Sequence, residues 1–158
     1  MGEKKEVRIH NKSDKPDNIV LKEQEILDKC EEIESELPRC LRTFFLYLKS
    51  NLLPMSRLAY LRDIRFFMEY LVHETDLTQA ESAGDIKIED IDQIRGMDIN
   101  VFLDYCRRYK VEKETCIYVY ENDKRSLARK RSSLSVMFKY LYREELISKN
   151  ITDSFDPI

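Results

Sequence analysis

The sequence predicts an all-α fold, a compact bundle of four to five helices behind a flexible N-terminal tail. Its 158 residues suit one domain, and three glycines and four prolines leave few positions for the tight turns that join strands. Apolar residues recur at three- and four-residue steps along most of the chain, which is the spacing of one helix face. Charged residues make up 36% of the chain, but the signs nearly balance at a net charge of −3, so wholesale disorder is not expected.

The N-terminal third is predicted to hold the tail and two helices. Residues 1–18 are polar and lack periodicity, so they are assigned to the tail. The first helix is predicted to begin at Ile19, and Pro38 suits the first turn of the second helix. The residues that recur at helical spacing in the first helix are Leu21, Ile26, Leu27, Cys30, Ile33 and Leu37. The expected buried stripe of the second helix is Leu41, Phe44, Phe45 and Leu48.

A third helix is predicted from Ser56 to about His73. Ser56 is a candidate N-cap, because a serine hydroxyl can accept a hydrogen bond from an unpaired backbone N–H at a helix start. Arg57, Arg62 and Arg65 are expected to project from the surface of this helix. Its expected core face consists of Tyr60, Ile64, Phe67, Met68 and Leu71.

Residues 74–98 are acidic and are predicted to hold a loop at 78–84 and a helical turn around 89–94. Asp98 is expected to cap a further helix over 99–110. The stretch TCIYVY, within 110–121, is strand-like but has no obvious partner strand, so we interpret it as a structured connector.

The last helix, predicted over about 124–145, lies in the most informative stretch of the chain. Residues 122–150 carry eight Lys and Arg against three acids, a reversal of the sign of the whole chain. The helix combines an apolar stripe with a basic face, and a cationic face on a packed helix favours nucleic acid as its ligand. The residues predicted to share the side opposite the core are Arg125, Ser126, Arg129, Lys130 and Ser133.

Several classes of function find no support in the sequence. Four widely spaced cysteines and two histidines do not form a zinc motif, and no glycine-rich phosphate loop is present. Neither histidine has a neighbourhood that suggests a nucleophile set, so we expect no catalysis, metal or cofactor in this chain. No apolar run approaches membrane-spanning length and the N-terminus is polar, so the protein is predicted to be cytoplasmic and not bound to a membrane.

Three stretches together resemble the N-terminal core-binding domain of the tyrosine recombinases, or phage-type integrases. PMSRLAYLRDIRFFMEYL, at 54–71, resembles that family's P-x-T-x-x-A-Y-x-x-D-L-x-x-F-x-x-F-L pattern. ARKRSSLSVMFKYL, at 128–141, is similar to R-R-L-S-A-L-R-S-F-F-R-Y-L, and ELISKN, at 145–150, is similar to G-L-I-x-x-N-P. The Asn122-Asp123 pair before the last helix is reminiscent of the XerS-like branch. Two departures are Arg131, where the family usually has an apolar residue, and Ile151 in place of proline.

The resemblance implies a SAM-like helical domain over 19–151 that clamps duplex DNA at a recombination half-site. It also implies that 152–158 begin a linker to a catalytic domain, since nothing here matches the family's catalytic residues. The implied partners are double-stranded DNA, that catalytic domain and other recombinase protomers. The predicted DNA-contacting residues are Ser56, Arg57, Arg62, Arg65, Arg125, Arg129, Lys130, Ser132 and Ser133.

A helical protein–protein interaction module is the alternative, and the net charge of −3 with a pI of 5.6 favours it. For the arginines of the third helix, a solvated surface is the simpler interpretation, and for Ser56 it is a plain helix cap. The distribution of charge discriminates the two functions. For DNA binding, the cations of the third and last helices should form one contiguous surface, and the interaction module is favoured if they are scattered over the domain.

Overall fold

The computed structural model describes residues 5–158. Among these residues it contains six α-helices, two β-strands and three short 3₁₀ turns. The helices are α1 (Asp17–Glu36), α2 (Arg42–Asn51), α3 (Pro54–Glu74), α4 (Ile88–Asp92), α5 (Gly96–Arg107) and α6 (Lys124–Arg143), and the strands are β1 (Arg108–Glu112) and β2 (Ile117–Glu121). The fold is therefore predominantly helical, as predicted, but not strictly all-α, because the strands pair into a small antiparallel sheet.

The predicted tail falls partly outside the described residues, since the structure says nothing of residues 1–4. Residues 5–16 have no helix or strand, and α1 begins at Asp17, two residues before the predicted start. The approach to α1 is held locally. Asn11 donates through its side-chain amide to the Lys15 carbonyl and to the Asp17 carboxylate, and the Lys15 ammonium lies 2.9 Å from a Glu23 carboxylate oxygen.

The core is built where α2, α3, α5 and α6 each contribute one fully buried phenylalanine, Phe44, Phe67, Phe102 and Phe138 respectively. Phe67 lies at the centre, with ring centroids 4.9 Å from Phe102 and 6.5 Å from Phe138, both edge-on. Such aromatic pairs contribute about 0.5–1.5 kcal/mol each beyond the burial of their area. The core therefore fixes α3 as the central helix, against which α1, α2, α5 and α6 pack.

The start of α3 differs from the prediction. The helix begins at Pro54, whose fixed φ suits the first helical position, and Leu53 occupies the N-cap position without a side-chain hydrogen bond. Ser56 therefore lies exposed within the first turn and is not a cap. Of the predicted core face, Ile64, Phe67, Met68 and Leu71 are buried, and Tyr60 is half-buried.

Asp98 also acts differently from the prediction. Helix α5 starts at Gly96, so Asp98 is its third residue and not the residue before it. The Asp98 carboxylate accepts a hydrogen bond of 2.8 Å from the backbone N–H of Arg95, which is the N-cap. Helix α5 ends at Arg107, because the chain becomes extended at Arg108.

The stretch interpreted as a connector is β2, and its partner is β1. The strands pair antiparallel with Tyr109 opposite Tyr120, and the Lys113 N–H donates to the Cys116 carbonyl at the turn. One end of the hairpin is anchored to the helices by stacked tyrosines. The Tyr109 ring lies 5.3 Å from those of Phe66 and Tyr105 and 5.2 Å from that of Tyr120.

The C-terminal residues, predicted to begin a linker, pack on the bundle. Phe155 is buried with its ring 6.3 Å from that of Phe138. Arg131 donates to the carbonyls of Phe155 and Asp156 at 3.1 and 2.8 Å, and Asn100 bonds the same segment from α5. Arg131, a departure from the family pattern, thus holds the segment 151–156 against α6.

Across residues 5–158, every helix is too short or too polar to cross a lipid bilayer.

Candidate nucleic-acid interface

Helix α6 carries seven cations and no acid over its 20 residues. The residue before it, Asp123, is its N-cap, and the Asp123 carboxylate accepts a 2.8 Å hydrogen bond from the Ser126 backbone N–H. This bond lowers the pKa of Asp123. Its buried residues are apolar except for Ser133, so most of the charge of α6 lies on the remaining surface. The cations are Lys124, Arg125, Arg129, Lys130, Arg131, Lys139 and Arg143.

Five exposed polar residues follow one line along the outer surface of α6. They are spaced four, three, seven and four residues apart, which keeps them on one side of a helix. The first and last are 18 residues apart, a span of about 27 Å. We call this line the basic stripe, and it consists of Arg125, Arg129, Ser132, Lys139 and Arg143.

The end of the basic stripe is held by aromatic rings. The Arg143 guanidinium lies 5.2 Å from the ring centroids of Tyr47, on α2, and of Tyr140. It also lies 3.1 Å from a carboxylate oxygen of Glu144. Stacking on two rings orients the guanidinium plane without removing its charge.

A buried carboxylate joins α3 to α6. The side chain of Asp63 is 1% exposed, and it accepts hydrogen bonds from Arg129 Nε and Nη2 at 2.9 and 3.0 Å. Lys130 Nζ and Ser133 Oγ donate to the same carboxylate at 3.1 and 3.0 Å. We call these four residues the Asp63 cluster. Because all three donors lie on α6, the cluster fixes the packing of α3 against that helix.

The Asp63 cluster orients Arg129 without burying it. The side chain of Arg129 is 47% exposed, and its hydrogen bonds to Asp63 raise the pKa of the guanidinium. Two of the three nitrogens are engaged, so the N–H groups on Nη1 stay available to a ligand. Lys130 is different, since its side chain is only 12% exposed and its ammonium lies 5.1 Å from the Phe66 ring centroid.

Two of the three arginines of α3 pair with α1 and not with α6. Arg57 is buried at 4% exposure and pairs with Glu34, and Arg65 lies 3.2 Å from a carboxylate oxygen of Glu36. The prediction that Arg57 projects from the surface is therefore wrong. Arg62 is exposed as predicted. Positions 57 and 65 share one side of α3 and Asp63 lies on another, so α1 neutralises two of the three arginines.

The predicted serines divide in the same way. Ser56 and Ser132 are exposed, whereas Ser133 is fully buried in the Asp63 cluster, which corrects its predicted position on the outer side of α6.

Sequence reasoning did not select Lys139 and Arg143 as site residues. Their spacing from Arg125, 14 and 18 residues, is the signal that could have identified them.

Comparisons of the chain with models of protein families, with curated proteins and with solved structures found no match in any of the three.

Proposed function

We propose that this chain is a duplex-DNA-binding module of the SAM-like, core-binding type that tyrosine recombinases carry, and that the basic stripe lies along the phosphate backbone. The observation that carries the proposal is helix α6, whose outer surface has cations and no acid in a chain of net charge −3. Neutralising phosphates releases condensed counterions, which supplies most sequence-independent affinity for DNA. An acid-free helix face of this kind suits that ligand better than an ordinary solvated surface does.

The length of the basic stripe supports a duplex as its ligand. A span of about 27 Å is close to one helical turn of DNA, about 34 Å, so one line of side chains can meet several phosphates. Arginine suits this role, because its planar fork donates to phosphate oxygens in pairs. Arg129 adds a preorganised donor, since Asp63 already holds two of its nitrogens.

The recombinase assignment is supported by the contact between two motif stretches that are distant in the chain. Asp63 belongs to AYLRD in the stretch that resembles the family's third-helix pattern. Arg129, Lys130 and Ser133 belong to ARKRSS in the stretch that resembles its last-helix pattern. The polar residues of the two stretches are each other's hydrogen-bond partners. The packing of α3 on α6 therefore explains why these polar residues recur at fixed positions in both patterns.

The proposed contact surface is smaller than the one that the sequence predicted, because Arg57 and Arg65 pair with acids of α1 and do not join the cations of α6. It consists of the basic stripe and the exposed Lys124 on α6, together with the exposed Ser56 and Arg62 on α3. Arg57, Lys130 and Ser133 act within the fold and not at the ligand. The catalytic domain and other recombinase protomers remain proposed partners, and we propose no catalysis by the chain itself.

A double variant tests the DNA proposal without disturbing the Asp63 cluster. Arg125→Ala with Lys139→Ala removes two exposed cations that form no ion pair within residues 5–158. We expect weaker binding to duplex oligonucleotides of any sequence. The slope of log K against log salt concentration should become shallower by about 2, because roughly 0.9 is lost per phosphate contact. Fluorescence anisotropy over a salt series measures both.

The matched control is Lys22→Ala with Lys29→Ala, which removes the same charge from the exposed surface of α1. Its affinity and slope should stay close to those of the natural chain. Equal losses in both double variants would mean that net charge, and not the basic stripe, governs binding. An absence of binding by the natural chain at low salt would reject the proposal.

A helical protein–protein interaction module is the second candidate function, and the hairpin favours it. Four consecutive residues of β2, Ile117–Tyr120, are uncharged and exposed. If the natural chain ignores duplex DNA and the hairpin binds protein, this candidate replaces the first.

A further inference from the structure

The hairpin exposes ten consecutive residues, Glu112–Glu121. Within this range the apolar and aromatic side chains are uncommonly open to solvent, since Ile117, Tyr118, Val119 and Tyr120 are 61%, 44%, 48% and 40% exposed. A two-stranded hairpin is at best marginally stable unless further strands or a helix cover it. The stacked tyrosines anchor only the end near the helices, so most of β2 is an uncovered strand.

Both outer edges of the sheet are unpaired within residues 5–158. The Lys113 N–H donates to the Cys116 carbonyl, and the Asn122 N–H donates to the Arg107 carbonyl. These two bonds determine which residues of the strands bond each other and which bond outward. Antiparallel ladders bond every second residue to the partner strand. The N–H and C=O groups of Ile117, Val119 and Glu121 therefore point away from β1, where another strand can bond them.

The two edges differ in their protection. Edge strands in natural proteins are commonly shielded by charged side chains, which oppose pairing with another chain. The outward-bonding residues of β1 are Arg108, Lys110 and Glu112, all charged. The outward-bonding residues of β2 are Ile117, Val119 and Glu121, and only Glu121, at the end of the strand, is charged. β2 is therefore the edge that is open to association.

We propose that β2 pairs antiparallel with β2 of a second copy of this chain, about a two-fold axis at Val119. In this register Val119 lies opposite itself, Ile117 opposite Glu121 of the second copy, and Tyr118 opposite Tyr120 of the second copy. All five residues of β2 then have a partner in the second copy. The outward N–H and C=O groups of one β2 bond the outward C=O and N–H groups of the other. The result is a continuous four-stranded sheet in the order β1, β2, β2, β1.

The charges fit this register. The two Glu121 side chains lie four residues apart along the paired strands, about 14 Å, which exceeds the screening length of about 8 Å at physiological salt. Glu121 also has its own cation, since Arg108 Nη1 lies 3.4 Å from its carboxylate. A register centred on Glu121 would place two carboxylates face to face. The register thus opposes Val119 to itself and Tyr118 to Tyr120 in two symmetric pairs, which are favourable cross-strand combinations. Each Ile117 faces a Glu121 whose charge is already paired with Arg108.

An engineered disulfide tests this arrangement directly. In a Cys116→Ser background, Val119→Cys places two thiols in a hydrogen-bonded pair with a Cα separation of about 5.5 Å, inside the disulfide range of roughly 4.4–6.8 Å. We expect rapid oxidation to a covalent dimer. Ile117→Cys in the same background is the control, because its two thiols would lie about 14 Å apart in the dimer and should not form a disulfide.

Sedimentation equilibrium of the unmodified chain gives the second readout. We expect a concentration-dependent dimer that Val119→Lys shifts toward monomer, since two lysines would then face each other. Val119 is exposed, so neither substitution removes a core contact, and far-ultraviolet circular dichroism checks the helices. A chain that stays monomeric at every concentration would overturn the proposal, as would Ile117→Cys cross-linking as fast as Val119→Cys. Dimerisation can fail while DNA binding holds, because it does not rest on the basic stripe.

Discussion

The carboxylate of Asp63 shows how one residue can set the relation between two helices. It is 1% exposed, and it accepts hydrogen bonds from Arg129, Lys130 and Ser133. A buried charge of this kind is tolerated only when its partners compensate for the lost hydration. With two cations and a hydroxyl in place the compensation is complete, and α3 and α6 gain a specific polar contact within an otherwise apolar interface.

Asp63→Asn tests the contribution of this carboxylate to stability. The neutral amide leaves the largely buried Lys130 ammonium without its counter-charge, so we expect the free energy of unfolding to fall by about 3 kcal/mol. Urea unfolding followed by circular dichroism measures the change. Asp104→Asn is the control, because Asp104 is 84% exposed with Arg107 3.9 Å away, and exposed pairs contribute about 0–1 kcal/mol. A loss as small as the control's would show that the cluster contributes nothing specific.

The residue-level predictions failed where a partner lies far away in the chain. Periodicity places Arg57 on a helix but does not show that Glu34, 23 residues earlier, will bury and pair it. Ser133 similarly bonds Asp63, 70 residues earlier. Long-range ion pairs depend on the packing of the helices, which one sequence does not display. Within residues 5–158, Arg62 and Arg125 form no ion pair, and both are exposed, as predicted.

At the scale of elements, the helices were predictable and the hairpin was not. Helices α1, α2, α3, α5 and α6 lie within a few residues of their predicted bounds, because each has a sustained apolar stripe. Strand β1, RYKVE, has three charged residues and directly follows a helix, so it reads as the end of α5. The turn between the strands also lacks glycine and proline, the usual signals of a hairpin. The strand-like character of TCIYVY was the only sign of a sheet.

The packing of the segment 151–156 on α5 depends on a glycine. A Cβ on Gly96 would overlap the Cβ of Ser154 and approach the Ile151 carbonyl oxygen at 3.2 Å. We expect Gly96→Ala to displace this segment and to destabilise the fold by about 1–3 kcal/mol, a typical cost of overpacking. Hydrogen exchange of the amides of 151–156 should accelerate, and that rate is the measurement.

Gly84→Ala is the matched control for this substitution. The nearest heavy atom to a Cβ there is the Glu36 carbonyl oxygen at 3.5 Å, an ordinary contact. Its stability and exchange rates should stay close to those of the natural chain. Unchanged exchange in the Gly96 variant would show that the segment does not need the close approach.

At the scale of the whole molecule, charge is segregated along the chain. Helix α6 holds seven cations and no acid, whereas the chain as a whole is net −3. Two acids of α1 pair with arginines of α3. Within residues 5–158, four cations of α6 form no ion pair, namely Lys124, Arg125, Arg131 and Lys139. The proposed DNA binding would therefore use α6, while acidic surfaces such as that of α1 would repel the duplex.

The reactivity of the four cysteine thiols depends on whether the whole molecule is folded. Cys30 and Cys106 are fully buried, and burial raises the pKa of both thiols, that of Cys106 to about 12. Cys116 is exposed at the hairpin, and Cys40 is intermediate, with a pKa raised by burial. Since the thiolate is the reactive form, we expect Cys116 to react first with a thiol reagent near neutral pH.

Cys30 and Cys106 should react only as fast as the protein unfolds, and mass spectrometry of labelled peptides would distinguish the four sites. Their reaction rate should rise with urea, while that of Cys116 should change little. Labelling of Cys106 at the rate of Cys116 without denaturant would mean that the core opens far more readily than its packing implies.

The tyrosine stack at the base of the hairpin gives the molecule an optical signature. The chain has nine tyrosines and no tryptophan, so its near-ultraviolet absorption is dominated by phenol rings. The rings of Tyr70, Tyr105, Tyr109 and Tyr120 follow one another at centroid separations of 5.0–5.3 Å. Chromophores this close couple their transitions, so dichroism in this band reports the seating of the hairpin on the helices. That attachment can therefore be followed without a label, separately from the helical signal in the far ultraviolet.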